Sequence, residues 1–343
     1  MTVRVGINGF GRIGRSFYRA LLARDDSSGV ELVAVNDPFG DAEVMAFLLK
    51  HDSVGGTLAN EVKATDGGFS VDGHEVRKLD VKDPSEIPWR DHDVDVVIES
   101  TGLFTSREAA AQHLQGGAGK VVISAPSGDA DLTLCLGVND DAYDASKHQV
   151  ISNASCTTNC LAPMAKALHE AFTIEQGFIT TVHAYTSDQS LQDLAATSRS
   201  GKPDLRRMRA ANLSIIPSTT GAARAIGLVM PELKGKLDGT SMRVPTPVGS
   251  ITDLVAVLGK EASIEEINTT FATAANDARY RGVLEYSDEP LVSADIVGNP
   301  SSCIFSAEDT MANGRMVKVL GWYDNEWGFS NRLVDLMAFL GDQ

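Results

Sequence analysis

Val3-Arg4-Val5-Gly6-Ile7-Asn8-Gly9-Phe10-Gly11-Arg12-Ile13-Gly14 decides the fold. Val3 to Ile7 reads as a short β-branched strand, and Gly9, Gly11 and Gly14 follow it at G-x-G-x-x-G spacing. Phe17 to Leu22 continues as an amphipathic helix, and a second strand, Glu31 to Asn36, ends at Asp37. Glycines at these points let the backbone approach a pyrophosphate at a helix N-terminus, and a carboxylate after the second strand accepts from ribose hydroxyls. The glycine pattern alone would match many tight turns. Strand, glycines, helix, strand and acid in this order predict a Rossmann unit with a nicotinamide or flavin site.

Working outward, strand and helix signals alternate to about residue 155, as a parallel sheet with crossover helices requires. Asp93 to Ile98 reads as a strand ending in Glu99-Ser100-Thr101-Gly102, and Lys120 to Ile123 as one ending in Ser124-Ala125-Pro126. Strand C-termini converge on the ligand crevice of a doubly wound sheet, so both ends are candidate cofactor loops. Their alternative reading is ordinary turn chemistry. Beyond residue 156 the texture changes to longer alternating strands, Gly249 to Leu258 and Met316 to Tyr323. Ser330 to Leu340 is an amphipathic helix able to return to the first domain. The expected class is α/β: a Rossmann doubly wound parallel sheet over 1–155, completed by a C-terminal helix over 325–343. An α+β catalytic domain with a largely antiparallel sheet would occupy 156–324.

The chemistry-bearing stretch is Ser155-Cys156-Thr157-Thr158-Asn159-Cys160. Val150-Ile151 before it reads as a strand and Leu161 to Phe172 as a helix, so Cys156 falls near that helix's N-terminus. Unpaired amides and the positive end of the helix dipole favour a thiolate there. His183 follows another apolar strand, Phe178 to Val182, and cysteine with a separate histidine is a pairing for covalent catalysis. The bland alternative is a small buried apolar cysteine. Cys156 and Cys160, at i, i+4, lack a second Cys or His pair at metal spacing, so no metal is expected.

Composition bounds the rest. The 343 residues have room for two cores, and no apolar run is long enough for a membrane span. The chain enters a strand at once, with no signal-peptide pattern, and its four cysteines are too scattered for a disulfide framework. A cytoplasmic enzyme is the expectation. A net charge of −16 argues against nucleic acid or anionic membrane as the main partner. An anionic substrate would need a local basic site working against that field.

Five segments then occur in order: NGFGRIGR (8–15), SNASCTTNC (152–160), TTVHAYT (180–186), RVPTP (243–247) and WYDNEWG (322–328). Together they closely resemble the phosphorylating glyceraldehyde-3-phosphate dehydrogenases of bacterial and organellar type, over essentially the whole chain. The resemblance implies that Cys156 attacks the aldehyde of glyceraldehyde 3-phosphate, that His183 takes the proton and holds the thiolate as an ion pair, and that a thioester is then opened by inorganic phosphate to 1,3-bisphosphoglycerate. It implies Thr186 and Arg243 for the substrate phosphate, and Ser155, Thr157, Arg207, Thr220 and Gly221 for the attacking phosphate. Arg206 and Arg209, beside Arg207, read as a solvated face. For the cofactor, NAD with NADP possible, it implies Gly9, Gly11, Arg12, Ile13, Gly14, Asp37, Lys82, Thr101, Ser124 and Asn325. It also implies a homotetramer.

The chain departs from the family's usual pattern in several places. Residues 192–204 form a lengthened loop, with Ala195 where NAD-specific members usually carry proline. Asp37 favours NAD, because its charge repels a 2′-phosphate. Pro38-Phe39 is unusual, Lys82 stands where arginine is common, and Phe329 replaces a usual tyrosine. Erythrose-4-phosphate dehydrogenase could share the cysteine, histidine and Rossmann parts. RVPTP and SNASCTTNC argue against aspartate-semialdehyde dehydrogenase. A non-catalytic, NAD-binding thiol sensor is the reading from a different class.

Overall fold

In the computed structural model, which describes residues 2–24, 29–195 and 203–343, backbone contacts separate two units. One comprises residues 1–134, 141–154 and 330–343, the other 135–140 and 155–329.

In the first unit, β1 (Val3–Asn8), α1 (Arg12–Leu22) and β2 (Val30–Asn36) form the opening βαβ, followed by α2 (Ala42–Lys50). A ribbon of β3 (His51–Asp52) and β4 (Gly56–Thr57) precedes a meander of β5 (Val62–Thr65), β6 (Gly68–Val71) and β7 (His74–Leu79). Then come β8 (Val96–Glu99), α3 (Arg107–Ala110), β9 (Lys120–Ile123), β10 (Leu132–Thr133) and β11 (Val150–Ser152). The nine-stranded sheet runs β10-β11-β9-β8-β1-β2-β7-β6-β5. It is parallel from β10 to β7 and antiparallel only in the meander. Chain order reverses between β1 and β8, which makes their carboxyl ends the switch point where such sheets bind ligands. Val5, Ile7, Leu32, Ala34, Val97 and Val121 are fully buried, as strands covered on both faces require. The expected strand over 93–98 begins later: Asp93 is left-handed (φ 52°), and pairing starts at Val96.

The second unit carries a seven-stranded sheet. Its elements are α4 (Cys156–Phe172), β12 (Ile174–Ala184), β13 (Ile216–Thr219), α5 (Ala222–Val229), β14 (Leu237–Val244) and β15 (Ser250–Leu258). They continue with α6 (Ile264–Ala275), β16 (Leu284–Ser287), β17 (Cys303–Asn313), β18 (Met316–Tyr323) and α7 (Trp327–Gly341), whose later turns belong to the first unit. The order β13-β14-β12-β15-β18-β17-β16 is antiparallel except at β12–β14 and β16–β17. The Rossmann unit and the largely antiparallel second sheet are both as the sequence predicts. Along β15, Ser250, Thr252, Leu254, Ala256 and Leu258 are buried and the residues between them are not, the period-two signature of a sheet covered on one face. Helices α4, α5 and α6 supply that cover.

Candidate active site

The glycine loop between β1 and α1 has a separate reason for each glycine. Gly9 sits at φ +91°, and a Cβ there would lie 2.8 Å from the Thr101 amide. A Cβ on Gly14 would lie 2.6 Å from the Gly9 carbonyl, so helix and loop pack backbone to backbone. Gly11 faces open space, and as N-cap of α1 it offers no side chain to the first-turn amides. A helix N-terminus shaped this way fits the pyrophosphate of a dinucleotide. Asp37 steadies the loop: its Oδ2 accepts from Phe10 N–H at 2.9 Å and its Oδ1 from Phe39 N–H at 2.9 Å.

The other cofactor candidates hold defined positions. Arg12 turns its guanidinium to Asp52 at 2.9 Å. Burial alone would raise the Asp52 carboxyl, but hydrogen bonds from Gly55 N–H, Arg12 and Val54 N–H outweigh it and hold it at about 2. Ile13 follows Arg12 in the first turn of α1, and Lys82 is exposed in the loop after β7. Thr101 and Ser124 follow the ends of β8 and β9, and both are tied to Glu99, which the sequence places at a strand end but not among the site residues. Glu99, fully buried, accepts from Thr101 N–H and Oγ1 on one oxygen. Its other oxygen accepts from Asn8 Nδ2 at 2.6 Å and contacts His113 Nε2 at 3.0 Å, while its carbonyl accepts from Ser124 Oγ.

The nucleophile candidate stands at the start of α4. The helix begins at Cys156, five residues before the expected Leu161, because Ser155 caps it: Ser155 Oγ accepts from Thr158 N–H at 3.1 Å. A hydroxyl-rich run that reads as a loop is therefore the first turn, and the helix continues through Pro163. Ala154, left-handed at φ 57° without being glycine, precedes the cap.

His183 lies near the end of β12 with Nε2 3.4 Å from Cys156 Sγ. Its Nδ1 is 2.7 Å from the Ala184 carbonyl. A carbonyl only accepts, so Nδ1 carries the proton and Nε2 faces the sulfur as acceptor. Arg243 of β14, paired with His183 of β12, donates to Ala184 O and to Thr186 Oγ1, each at 3.1 Å. Its Nη1 stands 3.1 Å from Nδ1 as a close cation, since that nitrogen's proton is already committed. Its Nε is buried with no hydrogen-bond partner among the described residues, a donor in want of an anion.

These surroundings act on both members of the pair. Burial pushes the Cys156 thiol up to about 11, although the Arg243 charge and bonds from Thr157 oppose it. Burial and then the Arg243 charge push His183 down to about 3. Burial thus favours the neutral form of both partners, and the 3.4 Å contact lets the thiol donate to Nε2. Cys156 is half-buried. The geometry suits general-base chemistry, with the proton crossing as the sulfur attacks.

The remaining candidates radiate from this pair. Thr186 bonds Asp188, which pairs with Arg207. Arg207 also donates to Ser218 Oγ at 2.9 Å, and Ser218 lies on β13, which leads to Thr220 and Gly221 at the head of α5. Thr220 Oγ1 accepts from Ala222 N–H, and a Cβ on Gly221 would meet nothing within 4 Å. The Ser155 and Thr157 hydroxyls are engaged inside the unit, with Thr158 and Tyr323 respectively. Asn325 is buried and accepts from Ser250 Oγ at 2.9 Å. Arg206 and Arg209 are exposed, and the expected loop over 192–204 lies largely outside the described residues. Tyr323 was missed although WYDNEWG contains it: a tyrosine inside an alternating strand reads as core.

Sequence comparison decides the family. A profile described as glyceraldehyde 3-phosphate dehydrogenase, C-terminal domain, matches residues 155–325, and the NAD binding domain of the same enzyme matches 3–107. A glyceraldehyde-3-phosphate dehydrogenase of Streptomyces coelicolor is 54% identical over 344 residues, covering 100% of both chains. One from Mycobacterium leprae is 55% identical over 345 residues, covering 99% of each. The chain belongs to the glyceraldehyde-3-phosphate dehydrogenase family. It is an NAD-dependent oxidoreductase of the phosphorylating type, and within this dehydrogenase the glycine loop and Asp37 lie in the NAD-binding part. No helix among the described residues is long and apolar enough to cross a membrane.

Proposed function

We propose that Cys156 is the nucleophile and His183 the base in the oxidation of D-glyceraldehyde 3-phosphate. The observation that carries this reading is the 3.4 Å contact between Cys156 Sγ and His183 Nε2, with the imidazole proton held on the far nitrogen. Sulfur attacks the aldehyde carbon as its proton passes to Nε2, giving a thiohemiacetal. The imidazolium then returns a hydrogen bond to the new oxygen. Bound NAD supplies the acceptor for the hydride that leaves this carbon. A thioester remains on Cys156. Inorganic phosphate attacks it, the C–S bond breaks, and 1,3-bisphosphoglycerate departs with the thiol restored.

Arg243, with its unpartnered Nε, and Thr186 would hold the substrate phosphate. Arg207, Ser155, Thr157, Thr220 and Gly221 would serve the attacking phosphate, with backbone amides replacing hydroxyls already engaged. Gly9, Gly11, Arg12, Ile13 and Gly14 would take the pyrophosphate, Asp37 the adenosine ribose, and Lys82, Thr101, Ser124 and Asn325 the rest of NAD. Asp37 disfavours NADP by repelling its 2′-phosphate. The cytoplasm is the proposed location. A homotetramer is the proposed assembly, supported by the uncovered sheet face that leaves Phe178 71% and Val255 37% exposed.

A steady-state assay tests the core of this. Wild-type enzyme should reduce NAD only with both triose phosphate and inorganic phosphate, and Cys156→Ser should lose at least about 10³-fold in kcat while still binding NAD. Phosphate-independent turnover with preference for erythrose 4-phosphate would replace the substrate assignment. Binding of NAD without any turnover would favour the thiol sensor.

A further inference from the structure

Asn8, Asn36 and Glu99 are the last residues of β1, β2 and β8, neighbours in the first sheet, and all three are buried. Val81 lies two residues past the end of β7, the next strand of that sheet. Its backbone orients the first amide: Val81 N–H donates to Asn36 Oδ1 and Val81 O accepts from Asn36 Nδ2, each at 2.9 Å. Asn36 Nδ2 also donates to Asn8 Oδ1 at 2.7 Å, and Asn8 Nδ2 donates to Glu99 Oε2 at 2.6 Å. A belt of hydrogen bonds thus crosses the carboxyl edge of the sheet in strand order, β7-β2-β1-β8, and its side-chain protons point toward Glu99.

A second line of donors ends on the same carboxylate. Trp89 Nε1–H donates to His113 Nδ1 at 3.1 Å, and an indole nitrogen can only donate. Nδ1 therefore accepts, the imidazole proton sits on Nε2, and Nε2 donates to Glu99 Oε2 at 3.0 Å. A second proton on Nδ1 would meet the indole N–H, so His113 is a neutral donor. Trp89 cannot swing away to release it: a Cβ on Gly6 would already lie 2.7 Å from the indole ring, and one on Gly116 would lie 3.1 Å from it. Thr101 N–H, at 2.8 Å, and the Thr101 hydroxyl take the other oxygen, and that hydroxyl accepts in turn from Leu103 N–H. Four donors thus fill the carboxylate, which is what a buried carboxylate needs to be tolerated at all.

We propose that Glu99 is a positioning residue for NAD, the common acceptor of a hydrogen-bond belt that sets the strand ends against which the dinucleotide lies, with His113 held by Trp89 as its neutral donor. This deepens the proposed function and rests on NAD lying against the glycine loop and Asp37. Each belt residue adjoins a residue of that site: Gly9 follows Asn8, Asp37 follows Asn36, Lys82 follows Val81, and Thr101 is bonded to Glu99 directly. The main chain is tied at the same edge, where Gly9 N–H donates to Asn36 O and Ser100 N–H to Asn8 O, each at 2.8 Å. With His113 neutral, directional donors hold the carboxylate, and each of them fixes an angle as well as a distance. A site built on strand ends is only as precise as the groups that lock those ends, and Glu99, itself buried, acts through them.

The test is calorimetric titration of NAD into the full-length enzyme, alongside steady-state kinetics and thermal unfolding. Glu99→Gln keeps the shape but turns an amide N–H₂ toward two of the four donors. It should raise the Kd and the KM for NAD about tenfold, while kcat at saturating NAD and the KM for triose phosphate stay within about threefold of wild type. The His113 pair separates donor from bulk: His113→Met, which fills the space without an N–H, should bind NAD about three- to tenfold more weakly, and His113→Gln, which keeps a donor, should stay within about twofold of wild type. Glu99→Gln combined with His113→Met should bind NAD no more weakly than Glu99→Gln alone, because both act through one carboxylate. A Glu99→Gln enzyme that melts at a lower temperature yet binds NAD as wild type does overturns the proposal, since Glu99 would then serve the fold and not the site. Should Glu99→Gln fail to fold, the His113 pair decides: equal NAD affinity in His113→Met and His113→Gln counts against the belt. Failure of the underlying reading looks different, because Gly14→Ala, outside the belt, would then leave NAD binding unchanged.

Discussion

His183 shows how much one buried side chain can record. Its imidazole titrates near 3 in the folded chain, against an ordinary value of 6.5. As pH falls below 6.5 the unfolded chain binds a proton that the folded chain refuses, so stability falls from there toward pH 3. The cost approaches about 1.4 kcal/mol for each pH unit. Replacing His183 by Asn removes this penalty together with the base. The stability advantage of wild type over His183→Asn should therefore shrink by up to about 2 kcal/mol between pH 7.5 and pH 5, measured by urea unfolding at each pH. Unfolding curves whose separation stays constant would show that the imidazole is not held neutral. The same variant should lose about 10²- to 10⁴-fold in kcat. At the glycine loop the constraint is steric. Gly14→Ala places a methyl 2.6 Å from a backbone oxygen, which no side-chain rotation relieves. Calorimetric titration should find NAD bound at least about tenfold more weakly, at a loss of roughly 1–3 kcal/mol in stability.

At the scale of elements, α4 decides where the sulfur stands. Its apolar residues are buried almost all round, so packing fixes the helix axis, while Ser155 fixes where the first turn begins. Ser155→Ala should cost about 1 kcal/mol in unfolding free energy. It should also blur the position of Cys156, lowering kcat several-fold with little change in NAD affinity, whereas an unaltered kcat would mean that packing alone places the sulfur. That cap was legible as a residue but not as a boundary. Thr157 and Thr158 can each compete for backbone bonds in a loop, and burial against β12 and β18 tips them into the helix that Ser155 caps. Strands were easier to read: Met316–Tyr323 and Lys120–Ile123 coincide with prediction because β-branched runs bounded by polar residues have one obvious fate. Asp93 failed because its left-handed turn gives no pattern in a strand-like run.

At the scale of the molecule, helices among the described residues cover one face of the second unit's sheet. The other face exposes Phe178, Val255 and Met316, more apolar surface than an isolated domain gains by showing. Charging its centre with Phe178→Asp should split the proposed tetramer into smaller species in sedimentation velocity, while each subunit keeps its far-UV dichroism. A variant that sediments as wild type would locate the interface elsewhere.

The sequence by itself determined the Rossmann order, the largely antiparallel second sheet, the NAD-type loop and the pairing of Cys156 with His183, because glycine spacing, β-branched periodicity and a capped cysteine are local properties. Tertiary structure alone set the electrostatic surroundings of that pair. Burial and the Arg243 guanidinium, which reaches His183 from another strand, both push the imidazole toward its neutral form. It also brought Tyr323 to Thr157 from 166 residues away. Electrostatics and hydrogen bonding act through space, and the chain folds residues together that no spacing rule connects.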